Sequence, residues 1–279
     1  MDLHAEIERN VAAALAEDVG AGDLTALLAP DRPARARVVC REPAVLCGSA
    51  WFEACMRRLD PGVHIDWRVR DGERAEPGAL LCVIEGQARA VLSGERCALN
   101  FLQLLSAVAT VTRRYVDAVA GTRVAILDTR KTLPGLRVAQ KHAVVTGGGM
   151  NHRMGLWDAI LIKENHITAA GGVSAALRAA AVYASQAQWV QNEVETLDQL
   201  HEAVDAGANM VLLDNMDLAQ MREAVRWTAG RATLEASGGI TLENVRAIAE
   251  TGVDRISIGA LTKDVRAIDL SMRFDSAAD

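Results

Sequence analysis

The sequence predicts an α/β protein in two parts. An N-terminal α+β, sandwich-like domain covers residues 1–110, and an α/β barrel, closed or open, covers residues 111–279, its last helix packing back on the first domain. Two observations carry this expectation. Before residue 120, strand-like and helix-like stretches mix without regular alternation, the habit of α+β domains. From residue 123 onward, short continuous apolar runs alternate with helical segments, the pattern of parallel strands covered by helices. A doubly wound open sheet is the runner-up, but the short, even spacing of the last three runs favours a barrel.

In the first part, Leu3, Ile7, Val11 and Leu15 recur every four residues and mark an amphipathic helix, with Gly20 or Gly22 as its stop. Residues 34–41 and 63–70 read as strands with a helix over 50–59 between them, and 79–84 reads as a further strand. From 88 to 119 the pattern is helical, with Leu99, Phe101, Leu102, Leu105 and Val108 as its apolar stripe. The second part offers six strand candidates: VAIL (124–127), AILI (159–162), WVQNEVE (189–195), MVLL (210–213), TLEAS (233–237) and ISIG (256–259). Between them lie helices such as LDQLHEAVDAG, which Thr196 and Gln199 would open as a capping box. No internal sequence repeat accompanies the alternation.

A chain of 279 residues can bury a substantial core. Its net charge of −6 is a poor basis for nucleic-acid binding, which leans on a basic surface. Five widely spaced cysteines without a CxxC argue against a disulfide framework or a zinc site and for reduced thiols in the cytoplasm. The start, MDLHAEIERN, does not read as a signal sequence, and no run is long and apolar enough to span a bilayer, so no membrane partner is expected.

In an α/β barrel, chemistry sits at the carboxyl ends of the strands. Here those ends are polar or glycine-rich. Asp128, Thr129, Arg130 and Lys131 follow the first run, and Lys163, Glu164, Asn165 and His166 the second. Glu193 and Glu195 end the third, Asp214 and Asn215 the fourth. Singly, each of these is more often a solvated loop residue or a turn former. Gathered at one mouth, Arg130, Lys131, Arg153 and Lys163 would repel one another unless a polyanion joined them. SGGI (237–240), expected to open the helix TLENVRAIAE, and SIGA (257–260) let backbone N–H groups approach a phosphate after the last two strands. Glu193 and Asp214 either balance charge or hold ribose hydroxyls or a phosphate-bridged Mg²⁺.

Longer motifs are more specific. The chain contains EDVGAGDLTA (17–26), LSGERCALNFLQLLSAVAT (92–110), DTRKTLPGLR (128–137), GGGMNHRMGLWDAILIKENH (147–166), NEVET (192–196), LLDN (212–215), EASGGI (235–240) and SIGALT (257–262). In order and spacing it resembles the quinolinate phosphoribosyltransferase family over nearly its whole length. Ala107 departs where the family often has Gly, which bears on local packing alone. The resemblance implies transfer of phosphoribosyl from 5-phosphoribosyl 1-pyrophosphate to quinolinate with decarboxylation, and Mg²⁺ as cofactor. It implies that Arg130, Arg153, Lys163 and His152 hold the dicarboxylate, with Lys131 serving both the carboxylate and the pyrophosphate region. Glu193 and Asp214 would meet the ribose and the metal. Ser237, Gly238, Gly239, Ile258, Gly259 and Ala260 would hold the 5-phosphate, and Thr129 would be a further substrate-binding residue. It also implies a homodimer in which Arg96 reaches the partner's site. Lys131, Glu193 and Asp214 are the catalytic candidates.

Two other functions fit the same residues. A strand-end lysine is the usual imine former of barrel aldolases, with Lys163 the candidate. A noncatalytic anion binder, as in the molybdenum-transport relatives of this family, would keep the scaffold without the chemistry.

Overall fold

The computed structural model describes residues 2–275. In chain order the elements are α1 (Leu3–Asp18), β1 (Pro33–Cys40), β2 (Ala44–Val45), α2 (Ser49–Leu59), β3 (His64–Trp67), β4 (Arg74–Ala75), β5 (Leu80–Gln87) and α3 (Ala88–Ala118). Then follow β6 (Ala125–Leu127), α4 (Arg137–Thr146), β7 (Ile160–Ile162), α5 (Glu164–Ala170), α6 (Val173–Ala181), β8 (Val190–Val194), α7 (Leu197–Asp205) and β9 (Met210–Asp214). The chain continues through α8 (Leu218–Thr228), β10 (Thr233–Ser237), α9 (Val245–Ala249), β11 (Arg255–Ser257), α10 (Ala260–Lys263) and β12 (Leu270–Phe274).

Two compact units result. The first gathers Met1–Arg113, Thr132–Gly148 and Thr262–Asp279, and the second Arg114–Lys131 and Gly149–Leu261. This differs from a single boundary at residue 110, and local contacts show why. Arg9 and Asn10 of α1 both donate to the carbonyl of Gly135, and the Trp51 ring of α2 lies 5.6 Å from that of His142 in α4. The residues that follow β6 are thus claimed by the first unit. The chain's last described element is β12, a strand and not the expected helix, and it pairs antiparallel with β1 in the four-stranded sheet β12-β1-β5-β3. Leu270, Met272 and Phe274 alternate with Ser271 and Arg273, the period of a strand.

The first unit packs as its apolar stripes demand. Ile7, Val11 and Leu15 of α1 are buried, as are Leu99, Phe101, Leu102, Leu105 and Val108 of α3. Burying each large side chain contributes about 1.5–3 kcal/mol. Asp2 caps α1 by accepting from the N–H groups of His4 and Ala5, and Gly20, at φ +51°, ends it in a left-handed turn.

All six expected runs of the second unit are strands, and all are parallel. Their sheet order is β6-β11-β10-β9-β8-β7, which is chain order around a ring with one gap, between β6 and β7. The barrel is therefore open. At the gap, among the described residues, no further strand pairs with β6. Met150 instead forms a lone parallel bridge with Leu127, donating to the Ile126 carbonyl and accepting from the N–H of Asp128. α7 starts as expected at Thr196, whose hydroxyl accepts from the N–H of Gln199. The expected capping box is not completed, because the Gln199 side chain turns to the N–H of Glu195. α9 is also shorter than expected. The Asn244 amide donates to the Gly239 carbonyl and accepts from the N–H of Thr241, holding the start of TLENVRAIAE as a turn.

Candidate active site

The carboxyl ends of the parallel strands enclose a cavity of about 460 Å³, lined wholly by residues of the second unit. Thr129, Arg130 and Lys131 enter it from the loop after β6. His152 and Arg153 enter from the segment that begins at the gap, and Lys163 from the end of β7. Glu193 and Asp214 come from β8 and β9, and Ser237, Gly238 and Gly239 from the end of β10. Convergence predicted from strand ends is thus realised for eleven residues in one place. Of the SIGA segment, Ile258 is buried, and Gly259 lies so close to Lys131 that a Cβ there would sit 2.9 Å from Lys131 Cδ. Neither they nor Ala260 line the cavity, whose contribution from that strand is Ser257. Arg96 is exposed on α3 in the first unit, outside the lining.

Charge is layered within the cavity. Lys163 Nζ and Glu193 Oε2 form an ion pair of 2.6 Å. Arg153 is buried and donates to the carbonyl of Ala159 at 3.0 Å, which fixes the guanidinium on the wall. Burial first, and then the like charge of Arg130, push its pKa below the ordinary arginine value, while Glu193 and Asp158 pull it back. The group stays charged, since arginine begins far above neutrality. Its cost of burial is of the kind a bound anion offsets. The N–H of His152 donates to buried Asp128 at 2.9 Å. His166 plays a structural part, its Nδ1 accepting from the backbone N–H of Lys163 at the start of α5.

Gly238 and Gly239 have φ of +96° and +59°, so this loop adopts a backbone that side chains resist. A Cβ on Gly238 would overlap the Asn215 side chain. Asn215, itself at φ +55°, donates from its amide to Asp214 Oδ2 at 2.9 Å and from its N–H to the Ser237 carbonyl at 3.0 Å. It therefore locks β9 to the glycine loop. Because α9 begins only at Val245, a phosphate here would meet loop amides and not a helix terminus.

Glu193 and Asp214 suit Mg²⁺. They offer oxygen donors at neighbouring strand ends. Mg²⁺ usually takes one or two carboxylates and completes its shell with water and substrate phosphates.

Sequence reasoning missed Leu161, Leu212, Glu235 and Ser257 as lining residues, and named Asn215 without a role. The available signal was strand period. Glu235 lies two residues before Ser237, Leu212 two before Asp214 and Leu161 two before Lys163, so each shares the inward face of its strand.

The chain matches family models, curated relatives and solved structures. The family model described as the quinolinate phosphoribosyl transferase C-terminal domain matches residues 108–273, and that of the N-terminal domain matches residues 23–106. A probable nicotinate-nucleotide pyrophosphorylase (carboxylating) of Bacillus subtilis is 40% identical over 257 residues, covering 92% of this chain and 89% of that protein. The nicotinate-nucleotide pyrophosphorylase (carboxylating) of Mycobacterium leprae is 43% identical over 243 residues, 84% of each chain. A solved nicotinate-nucleotide pyrophosphorylase from Francisella tularensis superposes with a TM-score of 0.94 at 41% identity, covering 99% of this chain and 98% of that one. With both halves matched by family models and a superposition that runs nearly end to end, the chain belongs to the quinolinate phosphoribosyltransferase family.

Proposed function

We propose that the protein transfers the phosphoribosyl group of 5-phosphoribosyl 1-pyrophosphate to the ring nitrogen of quinolinate, releasing pyrophosphate and CO₂ and leaving nicotinate mononucleotide for NAD synthesis. The supporting observation is the gathering of Arg130, Lys131, Arg153 and Lys163 with Glu193, Asp214 and the glycine loop in one cavity of a chain of this family. Quinolinate carries two adjacent carboxylates, and guanidinium groups bind carboxylates in bidentate fashion. Arg130, Arg153, Lys163 and His152 hold that dianion. Thr129, Ser237, Gly238 and Gly239, with the SIGA segment behind them, hold the 5-phosphate.

Chemistry at ribose C1 is a loose displacement. The C1–O bond to pyrophosphate breaks as the quinolinate nitrogen bonds to C1, and Lys131 stabilises charge gathering on the leaving group. Glu193 and Asp214 hold the ribose hydroxyls and would hold Mg²⁺, which would supply charge neutralisation for the leaving pyrophosphate. The ring nitrogen, now quaternary, stabilises the carbanion left when the neighbouring carboxylate departs as CO₂. A proton then completes the product. Positioning two polyanions supplies most of the acceleration, and no protein nucleophile is needed.

We further propose a homodimer in which Arg96, exposed on α3, completes the partner's cavity. Leu24, Leu27 and Leu28 present exposed apolar surface in the first unit, which suits burial against a second copy. The cytoplasm is the proposed location, in keeping with five free, buried cysteines. No helix among the described residues is long and apolar enough to cross a membrane.

Lys163 as an imine former is disfavoured by its ion pair with Glu193, since an amine bound to a carboxylate as a cation is no nucleophile. Borohydride with a carbonyl substrate should leave no adduct on Lys163. A plain anion binder has no need for Glu193 and Asp214 beside the cations. Pyrophosphate and CO₂ should appear in equal amounts when the protein meets quinolinate, 5-phosphoribosyl 1-pyrophosphate and Mg²⁺. Reaction with nicotinate but not quinolinate would overturn the substrate, and no reaction would favour the anion binder.

A further inference from the structure

Behind His152 runs a polar chain, through Gln191 to Glu235, whose last two members have no part in the chemistry above. Glu235 stands in the middle of β10, with no exposed surface. Its Oε2 accepts from Gln191 Nε2 of β8 at 3.0 Å. Gln191, also buried, turns its Oε1 toward His152 Nε2 at 3.1 Å. The other Glu235 oxygen, Oε1, has no hydrogen-bond partner and stands 3.6 Å from the same His152 nitrogen. An amide fixed by a carboxylate on one side has a fixed polarity on the other. Because Gln191 gives its N–H to Glu235, only its oxygen can face the imidazole, so His152 Nε2 must carry a hydrogen. The Trp189 ring, edge-on at 4.8 Å, restrains the imidazole sideways.

We propose that Glu235 is a positioning residue: through Gln191 it fixes the proton on His152 Nε2, and its buried charge keeps the imidazole protonated to receive the dicarboxylate. The proposal rests on the quinolinate reading for its substrate, but not for the relay. The charges around His152 make a buried anion useful. Arg130, Lys131 and Arg153 line the same cavity and oppose a further cation, as does Arg255, in register with Glu235 on β11. Lys163 and Glu193 pair with each other, while Asp128 accepts from the His152 backbone, and Asp214 is tied to Asn215. Glu235 Oε1 faces the ring nitrogen directly, at 3.6 Å.

The test uses the full chain labelled with ¹⁵N-histidine, with His152→Asn to assign the His152 signals. In the unsubstituted protein the neutral ring should be the Nε2–H tautomer alone. Gln191→Met, of similar shape, should give a tautomer mixture. Glu235→Gln, isosteric and uncharged, should let His152 lose its charge at a pH lower by about one unit or more. It should also raise the quinolinate KM about ten-fold, hold the KM for the phosphoribosyl donor within about two-fold, and move the alkaline fall of kcat/KM to lower pH. Unchanged His152 titration in Glu235→Gln together with an unchanged tautomer in Gln191→Met would overturn the relay. A shifted titration with an unchanged quinolinate KM would overturn its role in substrate capture. A shifted titration in a protein that does not turn over quinolinate would leave the relay standing and sink the substrate reading instead.

Discussion

Alanine at Gly238 and at Gly239 makes a matched pair of perturbations that separates backbone strain from collision. Both positions have positive φ, +96° and +59°, so each alanine incurs about 1–2 kcal/mol of left-handed strain. At Gly239 a new Cβ finds nothing within 4 Å, and strain is the whole effect. At Gly238 the Cβ overlaps the Asn215 side chain and lies 3.0 Å from the Asn215 backbone nitrogen. Asn215 must move, weakening its bonds to Asp214 and to the Ser237 carbonyl, which adds about 1–3 kcal/mol. Gly238→Ala should therefore destabilise by about 2–5 kcal/mol and Gly239→Ala by about 1–2 kcal/mol. At about 2–4 °C per kcal/mol, the first should melt about 2–12 °C below the second. Thermal melts by circular dichroism read the difference directly. Steady-state kinetics should show at least a ten-fold higher KM for the phosphoribosyl donor in Gly238→Ala, since both Asp214 and the glycine loop are disturbed. Equal melting temperatures, or a lower one for Gly239→Ala, would refute the reasoning.

The remaining expectations concern charge. Arg153→Ala should lower kcat/KM for quinolinate about 30-fold or more while leaving the KM for the phosphoribosyl donor nearly unchanged, as loss of a buried charge-assisted contact costs about 2–5 kcal/mol; unaltered kinetics would remove Arg153 from the dicarboxylate site. Glu193→Gln and Asp214→Asn should each raise the Mg²⁺ concentration for half-maximal rate, and an unchanged Mg²⁺ response in both would separate these carboxylates from the metal. Burial pushes the thiols of Cys47 and Cys55 up to about 12, that of Cys97 up to about 11, and that of Cys82 upward as well. A pKa raised on folding means stability that is complete below the unfolded value of 9.0 and lost as pH climbs toward the folded values, so urea midpoints should fall between about pH 9 and 12. His142 works at the other end: burial lowers its pKa from 6.5, so stability should decline as pH drops below 6.5, and His142→Phe should flatten that decline in urea titrations at pH 5–7.

Much of this is legible in the sequence because the barrel strands are continuous apolar runs with polar ends. All six can be placed from sequence alone, and residues at their carboxyl ends meet in one cavity, though on the last strand this is Ser257 and not the SIGA residues after it. What escapes such a reading has physical reasons. Glu235 lies inside a run, where a carboxylate reads as a break and not as a floor; only the two-residue step from Ser237 reveals its direction. β12 carries a strand's alternation, but it lies far along the chain from β1, and pairing at such separation leaves no local trace. Residues 132–148 read as part of the barrel because they follow a barrel strand, while their anchors, Arg9, Asn10 and Trp51, stand more than a hundred residues earlier or nearly so. The short α9 follows from one asparagine side chain outcompeting the helical backbone, which propensity alone does not reveal.

The gap between β6 and β7 gives the barrel a door. Elsewhere around the ring each strand is laced to its neighbours by a ladder, and parting any of them breaks several hydrogen bonds together. At the gap no ladder runs among the described residues; the backbone bonds of Met150 and the bond from the His152 N–H to Asp128 tie the segment to the end of β6. Local opening is cheapest there, so amide exchange should be fastest at that jamb. The same panel carries the groups assigned to the dicarboxylate.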